Sequence, residues 1–295
     1  MWGGITLNKF RKGDIVGRIS YNKDVIFEIT RIIKTGENKK IYILKGITER
    51  IEADSPEDDL EIIDKRIANK KIEQFEDKII KRVAKCMQRD EYNIKTKKCL
   101  FNFSDNDKRS TKTIYTGKIL HLDGDKRYSE KSMKYYKSLG LNAVVKNVAE
   151  NKQAYVIKDL LDKYNPDILI LTGHDGMIRK GTDFNDIYNY RNSRHFIATV
   201  EEARKWKSAK SKDLAIFAGA CQSYYEAIIS AGANFASSPK RIMIDFIDPL
   251  IVAERIAMTE NTKYLTIKDI EDELRDGRNG VDGIGSIGKK IVKIE

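Results

Sequence analysis

Cysteine is scarce in this 295-residue chain, which holds only Cys86, Cys99 and Cys221, none in a C-x-x-C pair. That count and spacing exclude a disulfide framework and a paired-cysteine zinc site, and they fit a reducing compartment. Long apolar runs are missing too. No stretch approaches the roughly 20 residues of a membrane-spanning helix, and Met1 to Lys12 lacks the apolar core of a secretory signal. A cytoplasmic protein with no membrane partner is expected, and nothing in the chain calls for a metal or an organic cofactor.

The length suits one sizeable domain and a smaller one, with ample chain for a buried core. Net charge is +11, which by itself raises the prospect of an acidic or nucleic-acid partner. Its distribution argues otherwise. Residues 1–64 carry 11 Lys/Arg against 12 Asp/Glu, residues 65–116 carry 15 against 7, and residues 117–295 carry 29 against 25. A basic segment between two balanced blocks reads as a solvated helix and linker rather than a nucleic-acid surface.

Residues 10–63 alternate short apolar clusters with turn signals such as Gly13-Asp14 and Gly36-Glu37-Asn38, the outline of a small all-β barrel domain over residues 1–63. The opening Lys12-Gly13-Asp14-Ile15-Val16 resembles the first strand of SH3-like barrels. From Asp64 to about Arg89, Ile67, Ile72, Phe75, Ile79, Ile80, Val83 and Met87 recur at helical spacing, predicting one basic amphipathic helix. Residues 90–116 show no period and are expected to form a flexible linker. Residues 117–295 then alternate strand and helix patterns, which predicts an α/β domain with a doubly wound, three-layer, mostly parallel sheet.

Two strings in that last block carry chemistry. Gly173-His174-Asp175-Gly176 and Gly219-Ala220-Cys221-Gln222 each follow a short, continuously apolar run, as buried parallel strands are, and Cys221 lies 47 positions after His174. Strand ends share one edge of a parallel sheet, where ligands bind. A thiol and an imidazole brought there form a nucleophile and its base. The local pattern predicts that Cys221 opens a helix whose N-terminus lowers the thiol pKa. Cys221 N–H and that of Asp175 or Gly176 are the candidates for an oxyanion hole. His121 and Asp123-Gly124-Asp125 end an earlier strand on the same edge, and Ser237 and Ser238 follow a later one. Glutamine amidotransferases place their cysteine before the histidine, the reverse of this order. Gly283-Ile284-Gly285-Ser286-Ile287-Gly288 satisfies G-x-G-x-x-G, yet too little chain follows for the helix that a phosphate site needs; a glycine-rich turn before a final strand is expected.

The His-then-Cys pair resembles caspase, clostripain and gingipain cysteine peptidases, whose strands end in His-Gly and Ala-Cys; here Asp175 follows the histidine. Over nearly its full length, through Leu120-His121-Leu122-Asp123-Gly124-Asp125, Leu171-Thr172-Gly173-His174-Asp175-Gly176 and Ala218-Gly219-Ala220-Cys221-Gln222, the chain resembles the YabG family of sporulation-specific proteases. The resemblance implies a caspase-like fold and processing of spore coat and germination-related proteins in the mother cell, with possible retention in the coat. Relatives that cut after Arg or Lys carry a pocket acid upstream of the histidine, a place that Asp123 and Asp125 match. The clostripain alternative, an Asp two residues before the cysteine, is replaced by Gly219. Substrate contacts are accordingly expected at Asp123, Asp125, His121, Ser237 and Ser238.

These readings converge on a cysteine endopeptidase that acts through Cys221 and His174 and cuts after Arg or Lys. Its substrates are proteins, itself among them, with self-cleavage expected at Arg82, Arg89 or Arg109. Two rivals differ in class: a nucleic-acid-binding protein using the barrel and the basic helix, and a spore-coat scaffold with an inactive α/β domain.

Overall fold

A computed structural model describes residues 9–35, 39–101, 112–178, 183–210 and 213–294. Five short strands come first: β1 (Ile15–Arg18), β2 (Phe27–Lys34), β3 (Lys40–Gly46), β4 (Glu52–Pro56) and β5 (Leu60–Ile62). They form an antiparallel sheet in the order β4-β3-β2-β1-β5, and β4 and β5 are its two edges. Phe10, Val16, Phe27, Ile29, Tyr42, Leu44 and Leu60 are its core. The chain then enters α1 (Lys65–Phe101).

This helix is longer than the sequence pattern suggests. It runs through Phe101, where a flexible linker from residue 90 was expected, and β6 (Lys112–Tyr115) pairs with the C-terminal strand β15 (Ile291–Ile294). Residues 65–101 contain neither Gly nor Pro and are rich in Lys, Arg, Glu and Gln, so helix propensity carries the helix on after its apolar period fades. Phe75, Ile79 and Val83 pack against the main core, while Ile67, Ile80 and Met87 remain exposed. Arg82 pairs with Asp245 at 3.1 Å and Asp248 at 2.8 Å, and Arg89 pairs with Glu254 at 2.6 Å and with Glu273. Part of the basic surplus is thus spent inside the protein.

The α/β body follows in chain order: β7 (Ile119–Asp123), α2 (Lys126–Ser138), β8 (Ala143–Asn147), α3 (Glu150–Tyr164), β9 (Ile168–Thr172), α4 (Ser193–Lys210), β10 (Ala215–Ala218), α5 (Tyr225–Ser230), β11 (Phe235–Ser237) and α6 (Asp248–Met258). Three further strands, β12 (Tyr264–Leu265), β13 (Val281–Gly283) and β14 (Ser286–Ile287), precede β15, so the glycine-rich string is strand and turn, as expected. The main sheet has the order β13-β11-β10-β9-β7-β8, parallel except for β13.

Both faces of this sheet are covered, which is why its strands read as continuous apolar runs. Ile168, Ile170 and Phe217 point into a core shared with α2 and α6, whereas Leu169, Leu171 and Ile216 point into one with α3 and α4. The chain winds from β7 outward to β8, then crosses back to β9 on the other side of β7. Such a reversal leaves a crevice at the carboxyl ends of the strands, here between β7 and β9.

Candidate active site

The register of the parallel strands brings the candidate residues to one edge. Leu171 stands beside Ala218 and Thr172 beside Asp123, so the segments carrying Asp123, His174 and Cys221 leave three consecutive strands at the same end. All three residues are fully buried.

Cys221 occupies a turn and not the start of a helix, because Gln222 takes a left-handed φ of 57° and α5 begins only at Tyr225. Gly219, with φ of 115°, starts that turn, and a Cβ there would run into Ser237 Oγ. Without a helix dipole, burial dominates and pushes the Cys221 thiol up to about 12, against the lowering effect of the Ile244 and Arg50 backbones, whose N–H groups favour the thiolate. The thiol donates to the Ile244 carbonyl at 3.8 Å. Burial likewise lowers His174 to about 4, with Lys45 adding to the effect and Asp125 and Asp123 opposing it. His174 Nε2 lies 3.5 Å from the Gly46 carbonyl, and Nδ1 is buried with no hydrogen-bond partner. In this conformation both groups are neutral.

Asp175 knits the two loops together. Its carboxylate accepts from Gly176 N (2.9 Å), Asn192 N (2.8 Å), Ser193 Oγ (2.5 Å) and Ser223 Oγ (2.9 Å). Ser223 Oγ in turn accepts from Ala220 N at 2.9 Å. Burial raises Asp175 to about 6 despite these donors. The Gly176 N–H is therefore engaged by its neighbour's side chain, whereas the Asp175 N–H points at the carbonyl of Arg50 at 3.4 Å.

Asp123 is held by a chain of buried groups. Thr172 Oγ1 donates to its Oδ2 at 2.8 Å and Asp125 N–H to its Oδ1 at 2.8 Å. His121 bridges Thr172 Oγ1 (2.6 Å) and Tyr136 OH (3.1 Å). Because the threonine proton is given to Asp123, His121 must donate through Nε2 and accept the tyrosine proton at Nδ1. Burial and the nearby Arg50 charge keep His121 uncharged. His121 thus supports Asp123 from below. Asp125 caps α2 through Arg127 N–H at 2.8 Å, and its pKa is lowered: burial alone would raise it, but His174, protonated only at the acid pH where this carboxyl titrates, and Arg127 outweigh burial.

Ser237 and Ser238 lie beneath the Cys221 turn. Both are fully buried. Ser238 Oγ accepts from Gln222 N–H at 3.0 Å and stands 2.8 Å from the Ile242 carbonyl, tying the turn down. Ser237 Oγ has no hydrogen-bond partner. Of the self-cleavage candidates, Arg82 and Arg89 sit within α1 in the ion pairs described above; Arg109 lies outside the described residues.

Arg50, Glu150 and Tyr128 were not singled out from the sequence. Glu150 accepts from His174 N–H at 2.8 Å, and the Tyr128 ring lies 5.8 Å from the imidazole, edge to face. The Arg50 guanidinium, 1% exposed, stands 2.8 Å from Asp123 Oδ2. It lies over the rings of Tyr128 and Phe246 at 4.7 and 5.1 Å.

A buried thiol, a buried imidazole, backbone N–H groups and an acid paired with a guanidinium thus lie at the carboxyl ends of three neighbouring parallel strands. The family model described as YabG peptidase U57 matches residues 11–294, and the chain belongs to that family. It is 36% identical over 285 residues to the "Sporulation-specific protease YabG" of Bacillus subtilis (strain 168), a match spanning 95% of this chain and 96% of that protein. Among the described residues no helix is long and apolar enough to cross a membrane.

Proposed function

We propose that this protein is a cysteine endopeptidase of sporulation that cuts polypeptides after arginine. The observation that carries the reading is the β9/β10 register, which brings His174 and Cys221 out of neighbouring strands at one edge. His174 takes the thiol proton, Cys221 Sγ attacks the scissile carbonyl, and the imidazolium gives the proton to the leaving amine. The developing oxyanion is met by the N–H groups of Asp175 and Cys221. Gly176 is spent on the Asp175 carboxylate, whereas the Cys221 N–H has no hydrogen-bond partner among the described residues. Each such donor is worth roughly 3–4 kcal/mol of barrier.

Specificity for arginine rests on Asp123, a buried carboxylate at the crevice that already holds a guanidinium. Asp125 adds charge beside the imidazole. In this reading residues 1–63 form an SH3-like module, 64–116 a basic helical connection and 117–295 a caspase-like domain, acting on spore coat and germination-related proteins in the mother cell. Self-cleavage in the connection falls to Arg109. The test is a set of fluorogenic peptides differing only at the residue before the cut: arginine should outrun lysine, and both should outrun a neutral residue, because a carboxylate grips a planar guanidinium better than an ammonium. Equal rates on all three would remove the specificity claim.

A further inference from the structure

The connection between β3 and β4 is the tip of a hairpin, closed by Gly46 N–H to the Ile51 carbonyl at 2.9 Å. This tip sits inside the candidate active site. The Gly46 carbonyl faces His174 Nε2 at 3.5 Å, and Tyr128 OH donates to the Ile47 carbonyl at 3.0 Å. The Arg50 carbonyl accepts from Asp175 N–H at 3.4 Å, and Glu52 N–H returns a bond to the Asp175 carbonyl at 2.8 Å, a short parallel pairing centred on Ile51. Gly176 makes room for it: a Cβ at that position would strike the Glu52 carbonyl oxygen.

Arg50 therefore lies as the arginine of a substrate would. Its side chain is seated on Asp123, its carbonyl is on the amide that follows the catalytic histidine, and its backbone helps to lower the Cys221 thiol, as a nearby N–H does. The residues after it run on as the leaving side of a bound peptide. The fit is incomplete in one respect. Although Nη2 stands at ion-pair distance from Asp123, the angle is not that of a hydrogen bond, and Nε and Nη1 have no hydrogen-bond partner. Burying a guanidinium with unused donors is costly, and a structural role alone would be met as well by an apolar side chain between the two aromatic rings.

We propose that the β3–β4 hairpin tip is a built-in substrate mimic that fills the active site of the newly made chain, and that Arg50–Ile51 is the first bond the enzyme cuts. The inference rests on the cysteine-peptidase reading above. Cys221 Sγ, its proton passed to His174, adds to the Arg50 carbonyl carbon. The Arg50–Ile51 C–N bond breaks as that proton goes to the Ile51 nitrogen. Water then hydrolyses the thioester, leaving a carboxylate on Arg50 and restoring the thiol. Cutting frees Ile51 to leave the Asp175 strand pairing and opens the pocket to other arginine-bearing chains.

Occlusion and cleavage are tested separately on the full-length chain. Occlusion is read without chemistry: in the Cys221→Ala background, binding of a fluorescein-labelled Gly-Ile-Thr-Glu-Arg peptide is compared with and without Arg50→Gln, and with Arg50→Lys as the milder variant. Removing a tethered competitor should tighten binding by about tenfold or more, with Arg50→Lys between, and adding Asp123→Asn should abolish it. Equal affinities in all three folded proteins would overturn the occlusion. Cleavage is read by intact mass over time. A split between residues 50 and 51 at a first-order, concentration-independent rate, with peptidase activity rising in step, is the expected result. A wild-type chain that hydrolyses arginine peptides at full rate while residues 50 and 51 stay joined would overturn the self-cleavage. Loss of all peptidase activity with the peptide-binding pattern intact would count against the Cys221/His174 chemistry instead.

Discussion

Ser223 Oγ donates to Asp175 Oδ2 at 2.9 Å, fastening the turn that carries Cys221 to the loop that carries His174. Since Ser223 also accepts from Ala220 N–H, the bond reaches the backbone just before the nucleophile. Ser223→Ala should cost about 1 kcal/mol of stability and Asp175→Ala about 2–4 kcal/mol, because four donors lose their acceptor at once in a buried site. Urea unfolding followed with kcat checks both. Both variants should lose kcat by more than their KM changes, and wild-type kcat in folded Asp175→Ala would show that the link does not position the nucleophile.

Asp123 should govern the choice of substrate, with Thr172 setting its orientation. Asp123→Asn is expected to erase the preference for arginine over a neutral residue, while Asp125→Asn chiefly alters the pH profile through His174. Thr172→Val, which breaks the relay from His121, should weaken the preference without removing it. An unchanged preference in the Asp123→Asn, Asp125→Asn double variant would place the pocket elsewhere. Asp245 and Asp248, two further acids, are already engaged by Arg82.

The buried titratable groups give stability a pH dependence of two signs. His174, lowered to about 4 chiefly by burial, is neutral when folded, so its contribution is full above its unfolded value of about 6.5 and is lost as pH falls through about 4. Asp175, raised to about 6 by burial, acts in the opposite sense: its contribution is full below about 3.9 and is lost as pH rises through about 6. The difference between wild type and His174→Ala should therefore shrink by up to about 3 kcal/mol between pH 7 and pH 4. Urea midpoints at pH 7, 5 and 4 read it directly; parallel curves would mean that His174 is not held neutral.

Arg82 and Arg89 should behave as structural residues. Truncating Arg82 breaks its ion pair with Asp248, which is fully buried, and removing Arg89 breaks its ion pair with the buried Glu254. Each change should destabilise the protein by about 3–5 kcal/mol and leave the arginine preference intact. Neither bond following these arginines should appear among the self-cleavage products of folded protein, which peptide mass mapping would reveal.

Much of this was legible in the sequence because it is local. Continuous apolar runs such as Ile168–Thr172 can only be strands covered on both faces, and the strings that end them put His174 and Cys221 at one edge. The first sheet was also readable from its turn signals, though the pairing found leaves β4 and β5 as edges. The turn at Cys221 is not legible: the local pattern predicts a helix start there, and nothing in Gln222-Ser223-Tyr224 announces the left-handed Gln222. Least legible was the hairpin tip. Arg50 meets Asp123 across 73 positions, and Gly46-Ile47-Thr48-Glu49-Arg50 has no periodicity to mark it; only the tertiary fold shows where its arginine goes.

The most direct test of the central claim is to incubate the purified full-length protein with an arginine-containing protein substrate, beside Cys221→Ala, His174→Ala and the double variant, and to identify fragments by mass. The account predicts fragments ending in arginine from the wild type alone. Activity in each single variant should fall to background, and the double variant should be no worse than either, because members of a catalytic unit do not lose their effects additively. Wild-type fragments from a well-folded Cys221→Ala protein would contradict the account.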